Sequence, residues 1–243
     1  MIYTVKFLWL YVFSLILVIV QPVRAERSHD LRCDSTDVYT LLRHDYGPDQ
    51  VLVNGLYPED YILDALGHPF FQDTRFFPGS VILRNTNYKG LGIRYNVYDQ
   101  NIIISHQSTG NGTFQVMPPN KFISEFQLDD KTFRKLSFEG MGDRFYEVVY
   151  DGKMKCLYHI AKKRYTSYHA KEYSSFRYSR EIRNSYVVIN QQIHEYKSLG
   201  SLLNYFPKEE RAAIRTFCKK EKINVSKSAE SQIGKLMAFC EKR

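Results

Sequence analysis

Several kinds of pattern are missing from this sequence, and each absence removes a class of protein. Beyond residue 20 no stretch is apolar enough to cross a bilayer as a helix, which takes roughly 20 apolar residues. The 243 residues include four cysteines, Cys33, Cys156, Cys218 and Cys240, at wide and irregular spacing, with no CxxC pair and no zinc-ligand pattern. The histidines are scattered (His29, His44, His68, His106, His159, His169 and His194), and none sits in an HExxH motif. Ser80 and Ser108 lack the GxSxG context of a nucleophile elbow. The one glycine-rich stretch, Glu139-Gly140-Met141-Gly142-Asp143, is followed by neither a Lys-Ser pair nor a helical pattern, so it reads as a loop rather than a phosphate cradle. Acid pairs for glycoside hydrolysis would have to come from Glu125, Asp129, Asp130, Glu139 and Asp143, and Asp129-Asp130-Lys131 reads better as a hairpin tip. No catalytic, metal-binding or cofactor-binding residue is therefore assigned, and no cofactor is expected.

What is present begins at the N-terminus. Lys6 precedes an apolar run from Phe7 to Val20, Pro22 breaks it, and Val23-Arg24-Ala25 offers small or branched residues at a cleavage point. That order predicts a secretory signal peptide over residues 1–25. The run is too short to span a bilayer as a stable anchor. Lys6 and Arg24 would leave with the signal, lowering the formal excess of +8 by two. All four cysteines lie beyond the cleavage point, so disulfides are one reading and small buried thiols the other. If the C-terminal helices formed an antiparallel hairpin, Cys218 and Cys240 would lie on the order of 15 Å apart along the axis. A disulfide needs Cα atoms within about 7 Å, so these two are expected to stay unbridged.

Residues 26–50 are polar and irregular and read as an N-terminal arm. From 51 to 197 the chain reads as an antiparallel β domain. Gly79–Arg84, Leu91–Tyr98, Asn101–Gln107, Thr113–Met117, Lys121–Leu128, Thr132–Phe138, Phe145–Tyr150, Lys153–Ile160, Ser185–Ile189 and Ile193–Tyr196 are short and rich in Ile, Val, Tyr and Phe. In Lys121–Leu128 the alternation places Phe122, Ser124, Phe126 and Leu128 on one side. Asp151-Gly152 between two such runs predicts a two-residue type I′ turn, and Asp99-Gln100 and Asn190-Gln191 are weaker hairpin tips. The pattern changes after Ser198. Leu199, Leu202, Leu203 and Phe206 keep helical spacing, Pro207 closes that piece or opens the next, and Ser228 is the expected N-cap of the last helix. The class expected is thus α+β and β-dominated: an antiparallel meander sheet or partly open barrel, with a C-terminal pair of amphipathic helices over 198–243.

Three pieces of the β region carry a resemblance: Gly67-His68-Pro69-Phe70-Phe71, Phe77-Pro78-Gly79-Ser80-Val81 and Ile93-Arg94-Tyr95-Asn96-Val97-Tyr98. Together with Phe145–Gly152 and the closing charged helices, they are similar to a group of exported proteins of Bacteroidetes-type bacteria. The resemblance covers roughly residues 51–243. It implies an envelope compartment and a fold type, and it supplies no catalytic residue.

One composition is unusual. Residues 155–183 hold Lys155, Lys162, Lys163, Arg164, Lys171, Arg177, Arg180 and Arg183 against Glu172 and Glu181, with Tyr158, Tyr165, Tyr168, Tyr173, Phe176 and Tyr178 interleaved. Basic side chains among aromatics fit anion binding, and export makes nucleic acid the wrong partner. Lys162, Lys163, Arg164, Tyr165, Tyr168, Arg177 and Arg180 form the candidate anion-binding set; the alternative is a solvated hairpin that happens to use tyrosine. The function expected is a non-catalytic exported protein, periplasmic, attached to the outer membrane or extracellular. Its partner would be an envelope protein, an acidic glycan or an anionic lipid head group, and after signal cleavage it would have no transmembrane span. The competing expectation is a secreted hydrolase with a site assembled from dispersed residues. Asn111-Gly112-Thr113 and Asn224-Val225-Ser226 match a glycosylation sequon, which has meaning only in a eukaryotic host.

Overall fold

The structure is a computed structural model that describes residues 55–58, 65–107, 112–166 and 176–242. The expected signal peptide and N-terminal arm, Cys33, Asn111, Tyr168, Lys171 and Tyr173 lie outside the described residues. No helix among the described residues is long and apolar enough to cross a membrane.

Strand β1 (Ala65–Leu66) belongs to a small sheet treated with the site below. The large sheet is built from β2 (Phe77–Leu83), β3 (Thr86–Asn96), β4 (Asn101–Gln107), β5 (Thr113–Val116), β6 (Ile123–Leu128), β7 (Lys131–Phe138), β8 (Gly142–Asp151), β9 (Lys155–Ala161), β12 (Ile182–Ile189) and β13 (Gln192–Tyr196). Each of the ten expected strands overlaps one of these. The spatial order is β13-β12-β9-β8-β7-β6-β2-β3-β4-β5, with every neighbouring pair antiparallel. This is more than a meander. β3, β4 and β5 are laid outside β2, and a 3₁₀ turn at Asn120–Phe122 then returns the chain to put β6 on the other side of β2.

The sheet stays open, since β5 and β13 do not pair with each other, yet it is strongly curled. Tyr95 on β3 and Phe145 on β8 are four strand spacings apart, about 19 Å on a flat sheet, but their ring centroids are 6.1 Å apart. Phe126 and Phe133 stack at 4.9 Å, and both lie about 5 Å from Tyr95. The curled face closes around these rings with Val81, Leu91, Ile93, Ile102 and Ile104, all buried.

Two local expectations are corrected. A bulge between Ile82 and Leu83 breaks the alternation of β6, so Ile123 enters the same core as Phe126 and Leu128, while Ser124 is exposed. Asp151-Gly152 is not a two-residue turn. Asp151 pairs with Lys155, leaving the three-residue loop Gly152-Lys153-Met154, and Gly152 is absent from the positive-φ residues. The two-residue geometry appears instead at Asn190-Gln191 (φ 51° and 66°) and at Arg84-Asn85 (φ 47° and 68°).

Three helices follow the strands: α1 (Leu199–Leu203), α2 (Lys208–Lys220) and α3 (Glu230–Glu241). Ser198 and Ser201 form a reciprocal capping box on α1. Pro207 stands at the N-cap of α2, whose first turn holds Glu209 and Glu210 and whose last turn holds Lys219 and Lys220, as the helix dipole favours. Ser228 does not cap α3. Ala229 takes that position, because the Ser228 Oγ accepts a hydrogen bond from the Asn224 N–H at 2.8 Å in the preceding turn. The helices bury Leu202, Leu203, Ile214, Cys218, Ile233, Leu236, Met237 and Cys240 against Cys156, Tyr158, Val187 and Tyr196 of the sheet. The opposite sheet face carries a third cluster, Tyr146, Leu157, Tyr186 and Val188. Cys156, Cys218 and Cys240 are buried and form no disulfide with one another.

Candidate anion-binding surface

The basic segment does not form one hairpin of the large sheet. After β9 the chain leaves it and makes β10 (Arg164–Thr166) and β11 (Phe176–Tyr178), which join β1 in a separate three-stranded sheet of order β1-β11-β10. β11 runs parallel to β1 and antiparallel to β10. Strands alternate their side chains between two faces, so the register divides the cations.

One face turns towards the body of the protein. Tyr178 is buried and meets the Tyr98 ring edge-on at 5.6 Å. Arg164, opposite Tyr178 in the register, places its guanidinium 4.8 Å from the Phe176 ring and 5.2 Å from the Tyr98 ring. Burial holds the Tyr178 hydroxyl above its ordinary pKa, with Arg164 pulling the other way. Arg164 thus fastens the small sheet to the β3–β4 turn.

Lys162 is likewise committed. Its ammonium donates to the carbonyls of Phe70 (2.7 Å) and His68 (3.0 Å) and lies 3.4 Å from His68 Nδ1. Partial burial lowers the Lys162 pKa, with Glu181 opposing. Burial and the nearby Lys162 charge also hold His68 below the usual imidazole value. The His68–Phe70 loop is therefore tied to the joint between β9 and β10.

The other face is turned outward. Leu66, Arg177 and Tyr165 are paired across the three strands and form one row. Leu66 is 44% exposed and Tyr165 53% exposed, and Arg177 is exposed between them. Two residues before Tyr165, Lys163 leaves the sheet on the same side. Its backbone is held by Ser179, whose N–H donates to the Lys163 carbonyl and whose Oγ accepts from the Lys163 N–H. Arg180 is exposed beside it. Among the described residues no carboxylate pairs with Lys163, Arg177 or Arg180.

Of the seven residues singled out from sequence, the structure gathers Lys163, Tyr165, Arg177 and Arg180 on or beside one surface. Lys162 is half-buried and bonded to the His68–Phe70 loop, Arg164 is exposed but lies against the rings of Tyr98 and Phe176, and Tyr168 is outside the described residues. Leu66 belongs to the surface and was missed, because a lone leucine about 100 residues upstream carries no signal of the pairing. The placement of Arg164 on the other face was visible in part, because the period of two in a strand separates Lys163 and Tyr165 from Arg164.

Elsewhere, the ionisable groups serve packing. Lys131 Nζ donates to Glu147 Oε1 at 2.6 Å and to Glu230 Oε2 at 2.5 Å, joining β7, β8 and the first turn of α3. Burial pushes the Glu147 carboxyl up to about 7 despite the lysine. His159 is buried with neither ring nitrogen hydrogen-bonded, and burial lowers it to about 4. Cys156 Sγ lies 3.2 Å from the Tyr196 hydroxyl, and burial pushes the thiol up to about 12. Among the described residues no group of three or more His, Cys, Asp or Glu side chains is placed to hold a metal ion. A cleft of about 300 Å³ opens between β12, β13 and the turn before α3, lined by residues that include Arg183, Lys197 and Ser226. The Arg183 guanidinium is already engaged there, stacked 4.5 Å from the Tyr158 ring and donating to the Ser226 carbonyl.

The chain matches no protein-family model, no curated protein and no solved structure. The fold and surface define an open, curled antiparallel sheet backed by three C-terminal helices, with a small basic sheet at its side.

Proposed function

We propose that this protein is a non-catalytic exported component of a bacterial envelope, periplasmic or attached at the outer membrane, that holds an anionic partner on the outer face of its small sheet. One observation carries the reading: Lys163, Arg177 and Arg180 are exposed around Tyr165 and face no carboxylate among the described residues. A charge placed only for solubility would gain nothing from being gathered on a strand face with an aromatic ring. The N-terminal signal pattern and the similarity of the 67–81 and 93–98 motifs to exported proteins support the compartment.

Such binding is mostly Coulombic and shortens its reach with salt, from a Debye length of about 10 Å at 0.1 M to about 3 Å at 1 M. The mature protein is therefore expected to be retained on an immobilised acidic polysaccharide at low salt and released at high salt. The triple variant Lys163→Gln, Arg177→Gln, Arg180→Gln should elute at markedly lower salt with an unchanged fold. Lys162 and Arg164 are left intact because they hold the structure together. Equal retention of parent and variant would refute the reading.

A further inference from the structure

The outward row has a composition that a soluble anion does not call for. Leu66, Arg177 and Tyr165 lie on neighbouring strands in one register, so they cross the sheet in a line about 10 Å long. Two of the three are large apolar or aromatic side chains left open to solvent. They belong to a short set of such residues among those described, with Leu56, Tyr57, Phe114 and Tyr205. The rest of the small sheet's apolar surface is used inward, on Tyr98 and Phe176. What sets this row apart is that Leu66 and Tyr165 flank the exposed Arg177 in one register, so apolar, aromatic and cationic groups share one outward line.

We infer that the Leu66–Arg177–Tyr165 row seats on the surface of an anionic lipid bilayer. This rests on the anion-binding reading above and commits it to one partner. The parts divide as an interface requires. Tyrosine places an apolar ring and a polar tip at the level of the head groups. Leucine enters the acyl boundary, and arginine reaches lipid phosphate through a forked set of donors. Lys163 and Arg180 stand at the rim and add attraction that salt screens. The row is short, so attachment is peripheral and reversible, in keeping with a surface that lacks any long apolar stretch. An acidic polysaccharide would engage the cations and stack on Tyr165, but it would gain nothing from Leu66. That difference separates the two sources of anion.

The test is co-sedimentation of the mature chain with vesicles of phosphatidylcholine alone or mixed equally with phosphatidylglycerol, alongside retention on an acidic polysaccharide. The parent should bind the mixed vesicles at low salt and ignore pure phosphatidylcholine. Leu66→Ser should weaken vesicle binding by about fivefold or more and leave polysaccharide retention unchanged. Leu66→Thr, whose β-branched side chain suits a strand better, gives the same comparison should Leu66→Ser disturb the small sheet, as judged by circular dichroism and thermal unfolding. If the parent binds the polysaccharide but not the vesicles, or if both variants bind vesicles as the parent does, the bilayer inference is overturned and the anion-binding reading stands. If the parent binds neither, both fall.

Discussion

The ammonium of Lys131 lies 2.6 Å from the carboxylate of Glu147, and both side chains are withdrawn from water, at 13% and 4% exposure. The same ammonium reaches Glu230 at the start of α3, so one cation serves two acids. At the far end of that helix, Glu241 accepts from the Tyr150 hydroxyl and from the Lys153 N–H. The last helix is therefore tied to the β7–β9 region at both ends by carboxylates.

Removing the shared cation should be costly. Lys131→Met leaves Glu147 buried without a partner, and breaking a buried pair from one side costs about 3–5 kcal/mol. A loss near the lower end is expected at pH 8. It should shrink at pH 6, where the carboxyl can take a proton instead. Urea denaturation at the two pH values measures this, and equal losses would show that the pair is not the source.

The pH dependence of stability should contain two opposed contributions. Glu147 rises in the folded state to about 7 from an ordinary 4.5. Between those values the folded protein keeps a proton that the unfolded chain has lost, so this contribution is full below about 4.5 and is lost as pH rises through 7. His159 falls to about 4 from 6.5, so its contribution is present above 6.5 and is lost as pH falls through 4. The windows overlap, and the parent should show a shallow profile. Glu147→Gln should uncover stability that increases with pH, and His159→Phe stability that decreases, each by at most about 1.4 kcal/mol per pH unit. Parallel profiles for parent and both variants would contradict these environments.

Gly152 is required for space rather than for an unusual backbone. A Cβ there would fall 2.1 Å from Glu241 Oε2 and 2.8 Å from Tyr150 Cε1. Gly152→Ala should push the Glu241 carboxylate off its partners and lower the denaturation midpoint. In a Glu241→Ala background the same substitution should cost clearly less, since the displaced group is already gone. Additive effects would place the cost elsewhere.

The thiols of Cys156, Cys218 and Cys240 should be inert in the folded protein. All three are buried, and burial raises the pKa of Cys156 and Cys218, which disfavours the reactive thiolate. In a Cys33→Ser variant, a water-soluble thiol reagent should modify about three groups only after denaturant is added. Rapid labelling of the native protein would contradict the packing.

The sequence by itself determined that the middle of this chain makes strands and its end makes helices. The β-branched and aromatic richness of Asn101–Gln107 and Thr132–Phe138 and the helical spacing of Ile214 with Cys218 and of Ile233 with Met237 are local properties, set by local sterics. The hairpin at Asn190-Gln191 was legible for the same reason: it lies between two runs that pair directly. Decisions that depend on distant residues were left to the tertiary structure. Asp151-Gly152 has the composition of a two-residue turn, yet the loop is one residue longer, and a carboxylate from residue 241 occupies the space beside Gly152. Ile123 joined the core because β2, about 40 residues earlier, pairs with β6 through a bulge. The candidate surface divided in the same way. Neighbouring residues on a strand point to opposite sides, but which side faces the protein was settled by β1 pairing with β11 and by Tyr98 receiving Arg164 and Tyr178. Residue type thus placed a cluster of cations and tyrosines in one stretch, and only pairing across 100 residues of chain chose Lys163, Tyr165 and Arg177 for the outside while Lys162 and Arg164 were spent on the fold.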